Sequence, residues 1–400
     1  MTTRLSARAP EGPLVGLVEG FRCRLLAEGY AEGTAAAHVL GLRHLDVWLS
    51  GRDGWQGVVT GADLDEFYLC RKALGRVWPK ARSGLGLVER YLGSVGLFEP
   101  GAPGPMAPLD GLMADFEEHL RRGRGVGPVT AANYVRWVRP FAAGLADGSG
   151  AFDWSLADVE RVHSWMRGRA QGRRPGSVRL IVCSTRAFLR WAHLRGWVGA
   201  DVAGAVMSAR AGRPEPGRMV TAEEVDRLVG GVCADGEQGK RDVAVLLLLA
   251  RLGMRAGEVA GLGLDDIDWE RGTVTARGKG RSLTLPLPVD VGAALASYLQ
   301  CRSHGDGRAV FTAVRAPFKA LTAGRVTMIV ADRAEAAGLG RFHAHRLRHA
   351  AACRVIEAGG GLEDVARLLG HACVSTSAIY SAVALERLAA LVRPWPGAAL

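Results

Sequence analysis

Arg255, Lys279, His345, Arg348, His371 and Tyr380 are residues of the types that can bind and open a phosphodiester, and all lie in the C-terminal part of the chain. Two arginines can each offer paired N–H donors to the oxygens of a phosphate. A tyrosine oxygen can act as nucleophile when cations stabilise its anion. The lysine is notable for its context. The chain holds 51 Lys and Arg, yet only Lys72, Lys80, Lys240, Lys279 and Lys319 are lysines. A lysine kept between two glycines, Gly278-Lys279-Gly280, suggests an amine that must give up a proton, which arginine does not do readily. Taken singly, each residue also has an ordinary reading. Arg255 can pair with Glu258, a histidine can cap a helix, and a tyrosine can pack.

The elements around these residues place them just beyond element ends. The segment Asp242–Leu252, around the apolar run Val243–Ala250, predicts a buried helix, ended by Gly253 two residues before Arg255. Thr273–Arg277 and Ser282–Pro286 alternate as two short strands, with Lys279 in the turn between them. His345 and Arg348 are three apart at a helix start and so share a face. His371 directly follows Gly370, a candidate helix C-cap, and Tyr380 lies in a further short helix. Thr221-Ala-Glu-Glu224 has the capping-box pattern that opens this segment.

Upstream, Pro and Gly at 99–108 and at 208–218 mark two linkers. The two stretches they bound resemble each other at an offset of about 95. Phe21, Leu42, Leu45 and Trp48 are echoed by Phe116, Tyr134, Trp137 and Phe141. Thr60–Leu64 is echoed by Ser155–Val159, each with an N-cap hydroxyl. Tyr91–Leu97 is echoed by Trp191–Trp197 at an offset of 100. The expected architecture is multidomain and mainly α. Two small all-helical N-terminal domains, read as a duplication and spanning 14–98 and 109–207, precede a mixed α+β domain at 219–391 with a small antiparallel sheet.

A net charge of +11 favours a polyanionic partner, nucleic acid before membrane. Val243–Ala250 is too short to span a bilayer, and no export signal follows Met1. The seven cysteines are scattered without a CxxC pair, so neither a disulfide framework nor a metal site is indicated. A cytoplasmic protein is expected.

Leu252-Gly-Met-Arg-Ala-Gly-Glu258, Arg277-Gly-Lys-Gly280, His345-Arg-Leu-Arg-His349, Leu368-Leu-Gly-His371 and Tyr380 together resemble, in order and spacing, the tyrosine recombinase (phage integrase) family. Asp265-Asp-Ile267 fits the same pattern. Residues 109–207 resemble the family's helical core-binding domain by pattern. The resemblance implies a site-specific DNA recombinase in which Tyr380 attacks the scissile phosphate to give a 3′-phosphotyrosine and Arg255 and Arg348 hold the non-bridging oxygens. It further implies that Lys279 protonates the 5′ leaving oxygen, His345 handles the tyrosine proton and His371 hydrogen-bonds the phosphate. No cofactor or metal is called for. The partners implied are double-stranded DNA recombination sites. The protein is expected to act as a homotetramer on two duplexes, alone or with sister recombinases, with the Leu385–Leu388–Leu391 stripe docking on a neighbouring subunit. Arg121, Arg122, Arg124, Arg167, Arg169, Arg173, Arg174, Arg179, Arg218 and Arg281 are the expected DNA-contacting arginines. The role of the first helical domain, in binding DNA or a partner, is not supplied by the resemblance. The alternatives are a type IB topoisomerase-like relaxase or a catalytically idle DNA-binding protein of the same fold.

Overall fold

The computed structural model describes residues 12–52, 55, 57–75, 81–100, 106–147, 150–206, 220–278, 281–303 and 307–370. Residues 100–215 form one compact unit, and 1–99 with 216–400 form another. Among the described residues the second of these holds three hydrophobic clusters, one of residues between Leu14 and Leu92, one of residues between Val220 and Ala350, and a small one of Ala352, Cys353, Ile356, Val365 and Leu369.

The first cluster is built by α1 (Val18–Ala27), α2 (Glu32–Ser50), α3 (Gly61–Ala73) and α4 (Ala81–Ser94). Two-residue strands β1 (Val59–Thr60) and β2 (Phe98–Glu99) pair in parallel beside them, a small departure from an all-helical reading. Thr60 caps α3 in a reciprocal box with Asp63. In the 100–215 unit the same order recurs as α5 (Pro108–Glu118), α6 (Pro128–Ala143), α7 (Val159–Ala170) and α8 (Pro175–Leu194), with a short α9 (Ala200–Gly204) after them. The N-cap of α7 is the Asp158 carboxylate, which accepts from the Arg161 N–H, whereas Ser155 sits in a separate 3-10 turn. The expected hydroxyl cap at Ser155 is thus corrected to a carboxylate three residues on.

The two helical sets pack alike. In each, the first helix lies on the second, the second on the fourth and the third on the fourth. Phe21 meets Tyr91 with ring centroids 5.0 Å apart, and Phe116 meets Trp191 at 5.3 Å. Both fourth helices end on a left-handed glycine, Gly96 (φ 74°) and Gly196 (φ 75°). The following N–H then returns to the helix, Leu97 to the Leu92 carbonyl (2.9 Å) and Trp197 to that of Ala192 (3.0 Å). The first residue of this drift in offset has a structural cause. Phe21 and Leu25 match Phe116 and Leu120, 95 positions on, while Leu42, Leu45 and Leu49 match Val138, Phe141 and Leu145, 96 positions on, all of them buried. Between the two groups, α5 runs into a π-helical turn, His119–Gly123, the wider turn that one inserted residue produces.

The remaining core is mixed. It is formed by α10 (Ala222–Gly230), α11 (Glu237–Arg251), α12 (Ala256–Ala260), α13 (Val289–Cys301), α14 (Ala323–Ala336), α15 (Ala344–Glu357) and α16 (Leu362–Leu369). The sheet is β3 (Ile267–Asp268), β4 (Thr273–Gly278) and β5 (Arg281–Pro286), antiparallel in that order. Thr221 and Glu224 form the expected capping box. In α11, Ala244 to Ala250 are all buried, as suits a helix that is apolar all round and packed by α13 and α15. Its polar first turns carry no apolar period, so it begins at Glu237 rather than Asp242. Asp242 accepts from Arg241 (2.7 Å) and from Arg333 of α14 (2.6 Å). This buried carboxylate, with two guanidinium partners, pins α11 to α14, and losing it would leave the buried Arg241 guanidinium without its counter-charge.

Candidate active site

Gly253 is the point around which the described site residues gather. It adopts φ +61°, and a Cβ there would lie 2.8 Å from Leu369 Cδ2 and 3.3 Å from Ala351 Cβ. Only glycine permits both the backbone turn and this close approach. The turn delivers Arg255 to the N-cap of α12. There the Glu258 carboxylate accepts from the Arg255 N–H and from its Nη1, both at 2.8 Å. Glu258 is buried while the Arg255 side chain is 44% exposed, so the guanidinium is oriented from beneath and reaches solvent.

Arg348, in the second turn of α15, is only 3% exposed. Its Nη1 donates to the Gly253 carbonyl and its Nη2 to the Leu369 carbonyl at 2.6 Å. One guanidinium therefore ties the end of α11 to the end of α16. Gly370 follows as the left-handed C-cap of α16 (φ 53°), as expected from the sequence. His345, one helical turn before Arg348, is exposed and stands against the ring of His349 at 4.4 Å. Its pKa is lowered from the ordinary histidine value, first by partial desolvation of the ring and then by the positive charges of Arg348 and Arg255. Both arginines thus act on His345 electrostatically. The cationic form is disfavoured, and at neutral pH the ring is able to accept a proton. On the role that the resemblance implies for His345, the acid limb of kcat/KM for DNA cleavage, which reports the free enzyme, should accordingly lie below the ordinary histidine value. Cleavage of a nicked duplex followed from pH 4.5 to 8 checks this, and a limb at or above the ordinary histidine value would contradict it.

The hairpin carrying Lys279 is described up to its turn. Gly278 pairs with Arg281, which leaves 279 and 280 as a two-residue connection outside the described residues. β4 is held near this end by Arg277, whose Nε donates to buried Asp266 at 2.5 Å. Asp266 also accepts from the Gly263 N–H at 2.9 Å. Neither this anchor nor the third strand, β3, follows from the sequence, where Asp265-Asp-Ile267 stands only as a matching pattern. His371 and Tyr380 lie outside the described residues, as do the Leu385–Leu391 stripe and Arg218.

Eight of the ten proposed DNA-contacting arginines fall into two groups. Arg121 and Arg122 occupy the π-helical turn, and Arg124 follows it. Here Arg122 pairs with Glu118 at 2.6 Å, which partly neutralises this group. Arg167 and Arg169 end α7, Arg173 precedes α8, Arg174 is its N-cap, and Arg179 lies in its second turn. Arg169 and Arg173 both stand over the Trp137 ring, at 6.0 and 5.2 Å from its centroid. Arg281 opens β5.

A mainly helical chain with a small three-stranded sheet, and with Arg255, His345 and Arg348 drawn to one glycine turn, has the fold of the DNA breaking-rejoining enzymes. The chain belongs to the phage integrase family of tyrosine recombinases, whose members carry out site-specific DNA recombination, and the family's profile matches residues 218–387. It is 30% identical over 401 residues to the putative integrase/recombinase y4rA of Sinorhizobium fredii, covering 98% of this chain and 97% of that one. It is 31% identical to tyrosine recombinase XerC of Corynebacterium glutamicum, over 72% of this chain and 93% of the relative. Among solved structures, a lambda integrase dimer bound to a COC′ core site matches with a TM-score of 0.52 at 18% identity, over 68% of this chain and 94% of that one. XerH recombinase bound to difH substrate matches with a TM-score of 0.51 at 18% identity, over 70% of this chain and 84% of that one. Among the described residues no helix is long and apolar enough to cross a membrane.

Proposed function

We propose that this protein is an integrase- or transposase-type recombinase that exchanges strands between two DNA duplexes through a 3′-phosphotyrosine on Tyr380. The observation that carries the reading is Arg348. Bound to the carbonyls of Gly253 and Leu369, it joins the turn leading to Arg255 with the segment leading to His371, in one place beside His345. In the reaction, the Tyr380 oxygen attacks phosphorus as His345 takes its proton, and the bond to the 5′-oxygen breaks. Lys279 supplies the proton that this oxygen needs. Arg255, Arg348 and His371 stabilise charge on the non-bridging oxygens. Attack by a 5′-hydroxyl from the partner strand reverses each step and seals the exchanged junction.

The assembly we favour is a tetramer on two duplexes. A related fold, lambda integrase, is known as a tetramer bound to a Holliday junction, and the Tn1549 transposon integrase as a complex with transposon right-end DNA. In this reading residues 109–207 hold the DNA through the arginines of α7 and α8, residues 219–391 perform the chemistry, and the 208–218 linker joins them. Incubation of two differently labelled duplexes carrying the flanks of the gene's own element should give recombinant products. Relaxation of supercoiled DNA without any exchange would favour the topoisomerase-like alternative instead.

Lys279→Ala should slow cleavage by about 10²- to 10⁴-fold, the range of a lost general acid. A substrate with sulfur in place of the 5′-bridging oxygen leaves without protonation, so it should restore most of the rate. If the sulfur substrate is cleaved no faster than the ordinary one by Lys279→Ala, the lysine is not the proton donor.

A further inference from the structure

Trp137 is a half-buried residue of α6, and two guanidiniums stand over its ring. Arg169, in the last turn of α7, lies 6.0 Å from the ring centroid, and Arg173, just before α8, lies 5.2 Å from it. The indole thus gathers charges from two further segments of the chain. Other arginines of this unit are compensated in ordinary ways. Arg122 pairs with Glu118 and Arg139 with Asp110, both at 2.6 Å, and Arg161 donates to the Gly144 carbonyl, also at 2.6 Å. Arg195 stands over two rings, 5.6 Å from Trp191 and 5.9 Å from Trp197. At Trp137 the ratio is reversed, with two cations on one ring.

Among the described residues neither Arg169 nor Arg173 forms an ion pair, and the sequence supplies no acid between Glu160 and Asp201. The Arg169 Nε is buried with no hydrogen-bond acceptor among those residues. The ring face attracts each guanidinium, but like charges drawn to one ring repel each other. A buried donor without an acceptor is destabilising as well. Packing alone would be served by one arginine on the ring, or by a carboxylate shared between two. The helical fold itself does not call for this ring. Leu42, Leu45 and Leu49 of the first set match Val138, Phe141 and Leu145 at an offset of 96, which puts Gly41 where the second set has Trp137. The first set thus builds the same helix packing with no side chain at this position.

We propose that Trp137 is a positioning residue for duplex DNA, holding the guanidiniums of Arg169 and Arg173 ready for the phosphates that supply their missing counter-charge. Contact with the ring uses the flat face of a guanidinium and leaves in-plane N–H donors for phosphate oxygens. Two long side chains already held in place lose less rotamer freedom when the phosphates arrive. The inference rests on the recombinase reading in taking the α7–α8 corner as a DNA-binding surface. Each phosphate neutralised releases counterions, so the salt dependence of binding counts the phosphates engaged, with a slope of about −0.9 for each on a log–log plot.

The test uses the full chain and a fluorescent random-sequence duplex of about 30 base pairs, with anisotropy read from about 50 to 200 mM NaCl. Arg169→Gln with Arg173→Gln removes two cations and should flatten the slope by about 1.8, about 0.9 for each phosphate no longer neutralised. Trp137→Leu leaves both cations in place. It should largely keep the slope and weaken binding by roughly 5- to 100-fold at fixed salt, the cost of ordering two freed side chains. Trp137→Phe keeps a weaker ring face and should fall between. In the background of the two glutamines, Trp137→Leu should weaken binding by less than about 2-fold, because its effect passes through the arginines. An equal loss in both backgrounds marks a packing role and overturns the proposal, as does Trp137→Phe binding no better than Trp137→Leu. Trp137→Phe, which keeps an aromatic ring, carries the same two-background comparison if Trp137→Leu does not fold. A flattened slope on replacing the arginines, with full affinity in Trp137→Leu, overturns the proposal and leaves the recombinase reading standing. An unchanged slope on replacing the arginines removes this corner from the DNA interface and defeats both.

Discussion

Arg348→Ala should cut the rate of strand cleavage by about 10²- to 10³-fold, the scale of a lost oxyanion donor, and should lower the melting temperature as well. The two effects share a cause. The guanidinium is 3% exposed and donates to the Gly253 and Leu369 carbonyls. Truncation removes this donor from two buried carbonyls, and a buried acceptor that loses its partner costs about 1–3 kcal/mol. It also releases the end of α16 from the α11 turn, so Arg255 and the Gly370 cap lose their common tie. A guanidinium carries five N–H donors in a rigid fork, so anchoring through two of them is compatible with presenting others to a phosphate. Arg348→Lys separates the contributions. It keeps the charge but cannot span both carbonyls, so it should recover little of either stability or rate. Calorimetry with single-turnover cleavage of a nicked duplex checks both, and a folded Arg348→Ala that cleaves normally would remove Arg348 from the chemistry.

Local signals carry much of this site. The capping box at Thr221–Glu224, the hairpin around Gly278–Arg281 and the left-handed cap at Gly370 depend on neighbouring residues alone, and each stands where its spacing places it. The pairing of Arg255 with Glu258, three residues on, is legible for the same reason. Features set by distant contacts are not. Arg348 binds carbonyls 95 and 21 residues away, and backbone acceptors have no sequence signature. β3 is two residues long, too short for an alternating pattern to show. At the start of α7, Ser155 and Asp158 are both plausible caps, and only the 3-10 turn at Trp154–Leu156 decides between them. The duplication is visible as echoes at offsets of about 95 and 100. The one-residue drift between its first helices becomes intelligible only through the π-helical turn at His119–Gly123.

The nucleophile is the central claim. A phenol ionises near pH 10 in water, so Tyr380 attacks at neutral pH only where cations stabilise the developing charge. In the proposed reaction Arg255, Arg348, Lys279 and His371 do so, and His345, whose pKa is lowered, takes the phenolic proton. A nicked suicide duplex loses the 5′-hydroxyl strand on cleavage, which prevents resealing and traps the intermediate. With such a substrate the protein should form a covalent adduct at the 3′-phosphate, stable to denaturant. Mass spectrometry of the digested complex should place the adduct on Tyr380. Tyr380→Phe should bind the same duplex with unchanged affinity and yield no adduct. An adduct that still forms with Tyr380→Phe, or that maps to another residue, would contradict the account.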